Sequence, residues 1–410
     1  MFVPSSIALD DAAGELNGDR PEREEHRPLT ILQIVPAMDQ GGVERGTLEI
    51  TEAIVRAGGR ALVATSGGQL LPRITRAGGE VIAMNVASKN PLNLWQNARL
   101  LARLIRDLRI DIVHARSRAP AWSAYWACRS TGTRFVTTWH GVYREELPFK
   151  RRYNAVMAKG RPVIAVSNYV RALVIERHGV APEDVVTIPR GADIAMFAEE
   201  AVGNERTVKL AEQWGLLDDP RPVIMLPGRL TRRKGAEELV EAARALRAVR
   251  GGDFLVLLVG EGDAGFEAAL RRRIDRLGLG GCVHIVAGCT DMPAALKLAS
   301  VVVAPSREPE AFGRAIVEAQ AMGRPVIAAD HGGARETVSH GESGWLYPPG
   351  DVTRLTIELD KALSLDPSAR AHVGLAARAR VHSRYTVAAM QRATLAVYER
   401  VAGRTFAKLI

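Results

Sequence analysis

The sequence predicts an α/β protein made of two doubly wound parallel-sheet halves that face each other across a cleft. Short continuous apolar runs alternate with amphipathic helical stretches from residue 29 onward, the pattern of strands covered on both faces. The alternation stops at a polar stretch, residues 198–206, which reads as a linker, and then starts again. At 410 residues the chain is too long for one ordinary core.

In the first half, aliphatic and β-branched runs at 29–36, 61–65, 80–84, 111–114, 134–138, 162–166 and 185–188 read as strands. Helical spacing of apolar residues places helices at 43–57, 94–108 and 119–129, the second carrying Arg99, Arg103 and Arg106 on one side. In the second half, strands fall at 222–226, 254–259, 283–286, 301–304 and 326–329. Helices fall at 236–249, 266–277, 293–298, 312–322, 351–365, 367–383 and 387–401. The carboxyl ends of both sheets border the cleft, where ligands bind in such folds.

Aromatic residues make up only 5% of the chain, which suits α/β layers better than a β-sandwich. No apolar run reaches the roughly 18 residues needed to span a bilayer. No basic segment followed by an apolar stretch opens the sequence, so a cytosolic location is expected. Cys128, Cys282 and Cys289 lack zinc-ligand spacing and read as small core residues in a reducing compartment. The net charge of +9 is uneven: residues 1–27 hold seven acids and three arginines, so that tail carries −4 and the rest +13. The tail reads as disordered. The basic body invites phosphorylated ligands, anionic lipid surfaces or nucleic acid. The absence of a zinc finger, an RNA-binding sheet motif or aromatic-basic alternation argues against nucleic acid.

Candidate chemistry lies at strand ends. Gly41 and Gly42 follow the first strand and precede a helix, a turn where backbone can approach an anion. The matching turn of the second half, Gly228 to Gly235, carries Arg229 and Lys234, a planar fork and a mobile point charge for phosphate oxygens. It lacks Walker glycine spacing. The run Gly260-Glu261-Gly262-Asp263-Ala264-Gly265 fits the dinucleotide fingerprint, but on the second strand of its half and with acids where a pyrophosphate would lie, so it reads as a structural turn. His140 ends a strand facing the cleft, where it can donate a hydrogen bond or share a proton near neutral pH. His114, at another strand end, reads as structural. Glu310 precedes a helix that carries Glu318, a spacing that suits gripping two ends of one ligand. The N–H groups of Ala311, Phe312 and Gly313 point between them.

In this order the motifs resemble the retaining glycosyltransferases of family 4, which have the two-domain GT-B fold. They are Gly41-Gly42, Thr138-Trp139-His140-Gly141, Ile188-Pro189-Arg190-Gly191, the Arg229–Lys234 turn, Val259-Gly260-Glu261-Gly262, the Glu310–Glu318 element and Gly332-Gly333 with Glu336. The resemblance covers residues 29–403 and implies a Rossmann-like acceptor domain at 28–200 after the tail of 1–27. It also implies a Rossmann-like donor domain at 207–385 and a final helix, 386–403, crossing back to the first domain.

The implied activity is transfer of a hexose from a nucleotide-sugar, UDP-sugar first and GDP-mannose second, to a glycan or lipid-linked acceptor. Anomeric configuration would be retained, and the setting would be cell-envelope polysaccharide or lipopolysaccharide synthesis. Implied roles follow residue by residue. Glu310, with the N–H groups of Ala311, Phe312 and Gly313, holds the donor; Glu318 binds the ribose; Arg229 and Lys234 stabilise the departing diphosphate. Gly41 and Gly42 cap the phosphates from the opposite domain, and His140 lies at the reacting hexose. Backbone near Gly288 and Met292 takes the base. No Asp-x-Asp motif occurs, and the family needs no metal or other cofactor.

The acceptor side departs from the family pattern at Arg190, for the usual Asn, and at Arg116, for a second His. A peripheral contact with the inner membrane face through Arg99, Arg103, Arg106 and Lys150-Arg151-Arg152 competes with an ordinary solvated face. Rival functions are a nucleotide-sugar epimerase of the same fold and an NAD-dependent oxidoreductase.

Overall fold

The computed structural model describes residues 27–39, 41–143, 145 and 147–408. The expected disordered tail otherwise lies outside the described residues, but Arg27, assigned to it, is held. Its guanidinium donates to both carboxylate oxygens of Asp111, at 2.8 and 2.6 Å.

Two all-parallel sheets form the frame. The first holds β1 (Thr30–Ile34), β2 (Arg60–Thr65), β3 (Glu80–Ala83), β4 (Ile112–Ala115), β5 (Arg134–Trp139), β6 (Val163–Ala165) and β7 (Val185–Thr187), in the order β3-β2-β1-β4-β5-β6-β7. The second holds β8 (Val223–Pro227), β9 (Leu255–Val259), β10 (Val283–Val286), β11 (Val301–Ala304), β12 (Val326–Ala329) and β13 (Trp345–Tyr347), in the order β10-β9-β8-β11-β12-β13. The central strands β1, β4, β8 and β9 are almost wholly buried, which is why they read as unbroken apolar runs. Each order reverses once, between β1 and β4 and between β8 and β11. The two reversals are the crevices such sheets offer to ligands.

Several elements were not expected from the sequence. β13 is only three residues long and pairs Trp345 with Ile327 of β12. The helices Leu71–Arg76, Pro148–Asn154, Asn168–His178 and Ala334–Thr337 are too short or too evenly polar to show a period. The expected linker also needs correction. It contains a single turn, Glu199–Ala201, and runs into the helix Asn204–Gln213, which buries Leu210 and Ala211. Arg206 forks onto Asp291 at 2.9 and 2.7 Å, and Lys297 donates to the carbonyl of Val202 at 2.7 Å, so this segment is bolted to the second sheet's layer.

The last helix, Val387–Ala402, packs on the helix Gly42–Arg56 of the first half. Tyr398, fully buried on it, meets Nδ1 of His114 at 2.6 Å, while Nε2 of His114 meets Oγ1 of Thr138 at 2.7 Å. Both ring nitrogens are thus used within the core, and His114 is structural. The halves also touch directly: Ser167 Oγ donates to the carbonyl of Ala311 at 2.5 Å. The carboxylate of Glu336 accepts from the N–H groups of Asn168 and Tyr169, at 2.9 and 2.7 Å, at the start of the helix Asn168–His178. Among the described residues no helix is long and apolar enough to cross a membrane.

Replacing Tyr398 by Phe strands Nδ1 of His114 in the core. The expected loss of stability is about 1–3 kcal/mol, read from the urea midpoint at unchanged m-value; an unchanged midpoint contradicts the buried bond.

Candidate active site

Glycine geometry builds the corner at the β8/β11 crevice. Gly235 has φ +77, and a Cβ placed on it would lie 1.7 Å from the carbonyl oxygen of Pro305. Only a residue without a side chain lets the turn after β8 close against the loop after β11. That closure carries Lys234 to Glu310, Nζ to Oε1 2.7 Å, and Ser306 Oγ donates to the same oxygen. Burial pushes the Glu310 carboxyl up, but the Lys234 ammonium and the Ser306 hydroxyl outweigh it and hold the group below its ordinary 4.5. The stabilisation this reflects is present above 4.5 and fades as pH falls through the lower folded value. Lys234, Ser306, Glu310 and Gly313 line one narrow pocket with Pro227. Arg229, two residues beyond Pro227, is exposed and makes no hydrogen bond or ion pair among the described residues.

The helix carrying Glu318 starts at Arg314 rather than at 312, because Gly313 sits at φ +89 in the left-handed region and breaks the helical path. Ala311, Phe312 and Gly313 therefore belong to the loop. Among the described residues none of their N–H groups donates to a backbone carbonyl. Glu318 is buried, as its apolar flanks suggested. Its Oε1 accepts from Nε of Arg314 at 2.8 Å and from Nη1 of Arg45 at 3.1 Å. Nη2 of Arg314 reaches on to Glu49 Oε1 at 2.5 Å. Arg45 and Glu49 lie on the helix Gly42–Arg56, so this chain of charges crosses the cleft. Sequence reasoning missed Arg45, Glu49 and Arg314; each reads as a solvated helix charge, and nothing local marks them as partners.

On the first half, Gly41 and Gly42 follow β1, Arg116 follows β4, His140 follows β5, and Arg190 lies just beyond β7. Gly42 is exposed, with open space where a Cβ would stand. Arg190 donates to the carbonyl of Gly42 at 2.5 Å and meets Nδ1 of His140 at 3.3 Å. Because the guanidinium has only donors, Nδ1 is the acceptor and the ring proton sits on Nε2. That nitrogen is buried and has no partner. Burial, then Arg116 and Arg190, drive the His140 pKa well below 6.5, so the ring is neutral at pH 7. Of the two expectations for this ring, hydrogen-bond donation through Nε2–H is the one that a neutral imidazole with Nδ1 engaged favours over proton sharing.

The fingerprint glycines serve packing. A Cβ on Gly260 would lie 2.2 Å from the carbonyl oxygen of Gly228, and Gly262 bridges to Leu230. Asp263 caps the next helix by accepting from the N–H groups of Gly265 and Phe266. Met292 opens the short helix Met292–Leu298 that follows β10 and is partly buried. Cys128, Cys282 and Cys289 are free thiols.

With this geometry in hand, comparison with known proteins is direct. Residues 210–380 match the family described as Glycosyl transferases group 1, and residues 40–196 match Glycosyltransferase Family 4. The chain is 31% identical over 293 residues to a GDP-mannose-dependent alpha-(1-6)-phosphatidylinositol monomannoside mannosyltransferase of Mycolicibacterium smegmatis, covering 68% of this chain and 74% of that protein. A glycosyltransferase structure from Rickettsia africae superposes with TM-score 0.83 at 35% identity, covering 92% of this chain and 99% of that one. The Anabaena protein HepE, crystallised with UDP and glucose, superposes with TM-score 0.79 at 25% identity, covering 90% and 99%.

Gly235→Ala forces a left-handed alanine against Pro305. Strain of about 1–2 kcal/mol, before any clash, is the expected minimum loss in a urea titration, and a stability equal to wild type would show that the two loops do not meet.

Proposed function

The chain belongs to the GT-B glycosyltransferases of group 1 and is a hexosyltransferase acting on a nucleotide-sugar; on that premise we propose that it transfers the hexose with retention, without a metal, to a lipid-linked or glycan acceptor of the cell envelope. The observation that carries the reading is the pocket corner where Lys234 and Glu310 pair at 2.7 Å, on the turn that also carries the exposed Arg229, which has no partner among the described residues. An ionised Glu310 accepts from sugar hydroxyls. Lys234 then divides its charge between that carboxylate and the β-phosphate, and Arg229 supplies a second cation to the phosphate oxygens. The loop N–H groups of Ala311, Phe312 and Gly313, with Gly41 and Gly42 opposite, line the diphosphate's path, and Glu318 takes the ribose.

In the reaction the bond from the anomeric carbon to the phosphate oxygen breaks and the electron pair leaves with the nucleoside diphosphate. The acceptor oxygen bonds to the anomeric carbon on the same face, and its proton passes to the departing phosphate. Charge grows on that phosphate as the transition state forms. Fixed cations act there at greatest advantage. The ring of His140, at the end of β5, stands beside the hexose.

The donor is a UDP-hexose in the first reading. GDP-mannose is the second, favoured by the mannosyltransferase relative. Thermal stabilisation by a panel of nucleotide-sugars separates the two without an acceptor. Neither rival fits: the epimerase yields to the family assignment, and the oxidoreductase also loses its fingerprint to strand packing.

The acceptor is presented at an anionic membrane surface. Trp95 is 49% exposed with Arg99 stacked 3.9 Å over its ring, and Phe149 is 66% exposed next to Lys150, Arg151 and Arg152. The helix Arg118–Thr131 packs on the helix of Trp95, and its Trp122 donates to the carbonyl of Tyr153 in the segment of Phe149, so it links the two. Aromatic rings flanked by cations suit the headgroup layer.

Arg229→Ala and Lys234→Ala each lower turnover by about 100-fold or more, the usual cost of one transition-state donor, measured as acceptor-dependent release of nucleoside diphosphate. Full turnover in both folded variants removes the phosphate assignment. Wild-type protein is expected to sediment with phosphatidylglycerol vesicles and not with phosphatidylcholine vesicles. A Trp95→Ala, Phe149→Ala double variant is expected to lose most of that binding, and equal partition onto both lipids would defeat the membrane reading.

A further inference from the structure

A second cationic corner lies wholly on the first half, away from Arg229 and Lys234. Arg116 and Arg190 are 3% and 7% exposed. Their guanidinium groups converge: the point where a Cβ of Gly46 would stand is 2.6 Å from Nη2 of Arg190 and 3.1 Å from Nη2 of Arg116. Two buried like charges at this range repel, and each is costly without a counter-ion. Among the described residues a single carboxylate, shared with Arg314, comes within ion-pair distance of either. Arg116 reaches only the neutral amide of Gln33, Nη1 to Oε1 3.0 Å, and has no carboxylate at ion-pair distance among the described residues. Arg190 meets the Gly42 carbonyl and His140 Nδ1. Its nearest carboxylate is Glu49, whose Oε2 lies 3.8 Å away, at ion-pair distance but beyond hydrogen-bond reach, while Oε1 of the same group holds Arg314 at 2.5 Å.

Three buried donors in this corner have no acceptor among the described residues: Nε of Arg116, Nε of Arg190 and Nε2 of His140. Arg314 adds a further cation near Arg190, while Glu49 and Glu44 act on Arg116 from the other sign. Burial, then Arg314, push the Arg190 pKa down to about 9, with Glu49 only partly offsetting them. The corner communicates with solvent at the exposed Gly42.

We propose that Arg116, Arg190 and the Nε2–H of His140 bind a phosphate group carried by the acceptor, holding it beside the donor cleft. The inference rests on the transferase reading and assigns the acceptor class within it. Planar guanidinium forks suit phosphate oxygens, and two of them match a dianion or a diester whose remaining oxygens face the histidine. All three groups stand on the first half, whereas the cations assigned to the donor diphosphate stand on the second. The phosphate is either a soluble monoester or the diester of a lipid headgroup, and the site chemistry is the same for both.

The test is calorimetric titration of the full chain with glycerol 3-phosphate, a monoester, and glycerophosphoglycerol, a headgroup diester, each with and without saturating UDP or GDP. At least one binds, and it binds alongside the nucleotide; the tighter one identifies the source. Arg116→Gln and Arg190→Gln each weaken that binding at least tenfold, Arg190→Lys weakens it less, and Arg229→Ala leaves it unchanged. If Arg116→Gln does not fold, the wild-type titration and the Arg190 pair decide. Binding of neither probe, displacement by the nucleotide, or equal affinity in the glutamine variants overturns the proposal. Failure of the transferase reading is distinct, appearing as no nucleotide-sugar binding in wild type.

Discussion

One guanidinium, Arg314, is clasped by carboxylates from both halves of the molecule, and the shape of the cleft depends on it. Glu49 and Glu318 approach it at 2.5 and 2.8 Å, and all three side chains are largely withdrawn from water. Such an arrangement is expensive in desolvation and holds only while every member is present. It registers the helix after β1 against the helix after β11, and so sets the two crevices opposite each other. Glu318 is also the carboxylate assigned to the donor ribose. On the proposed reading donor and bridge draw on the same group, so that nucleotide entry would redistribute the hydrogen bonds among Arg45, Arg314 and Glu318.

The two-sheet plan was legible because parallel strands buried on both faces leave unmistakable apolar runs, as at 29–36 and 254–259. What escaped notice lacks that signature. β13 contributes three residues at a sheet edge, and the helix Asn204–Gln213 buries so little that its polar face hid it in an apparent linker. The helix after β11 starts at Arg314, two residues later than its apolar spacing predicts, because Gly313 is a left-handed break.

The site was legible in part. Motif order located Gly42, His140, Arg229, Lys234 and Glu310 after strand ends and Glu318 on the helix that follows, and in the fold these segments follow β1, β5, β8 and β11. What spacing could not convey was pairing. Lys234 and Glu310 are 76 positions apart, and only the collision-free Gly235 brings them together. Arg45, Glu49, Arg116, Arg190 and Arg314 come from four separate segments, so their convergence is a property of topology. Charged residues on helices and after strands look alike in sequence whether they end in water or against one another.

The carboxylate of Glu336 has a mechanical consequence. It closes the first turn of the helix Asn168–His178 from the other half, through two charge-assisted hydrogen bonds. Any hinge rotation that parts the halves must pull that carboxylate off those two N–H groups and leave the Ser167 hydroxyl as the remaining cap. Opening is thus opposed next to the Gly332–Gly333 turn, which packs on Glu310 and Phe312, so separation of the halves and the shape of the pocket wall are mechanically linked.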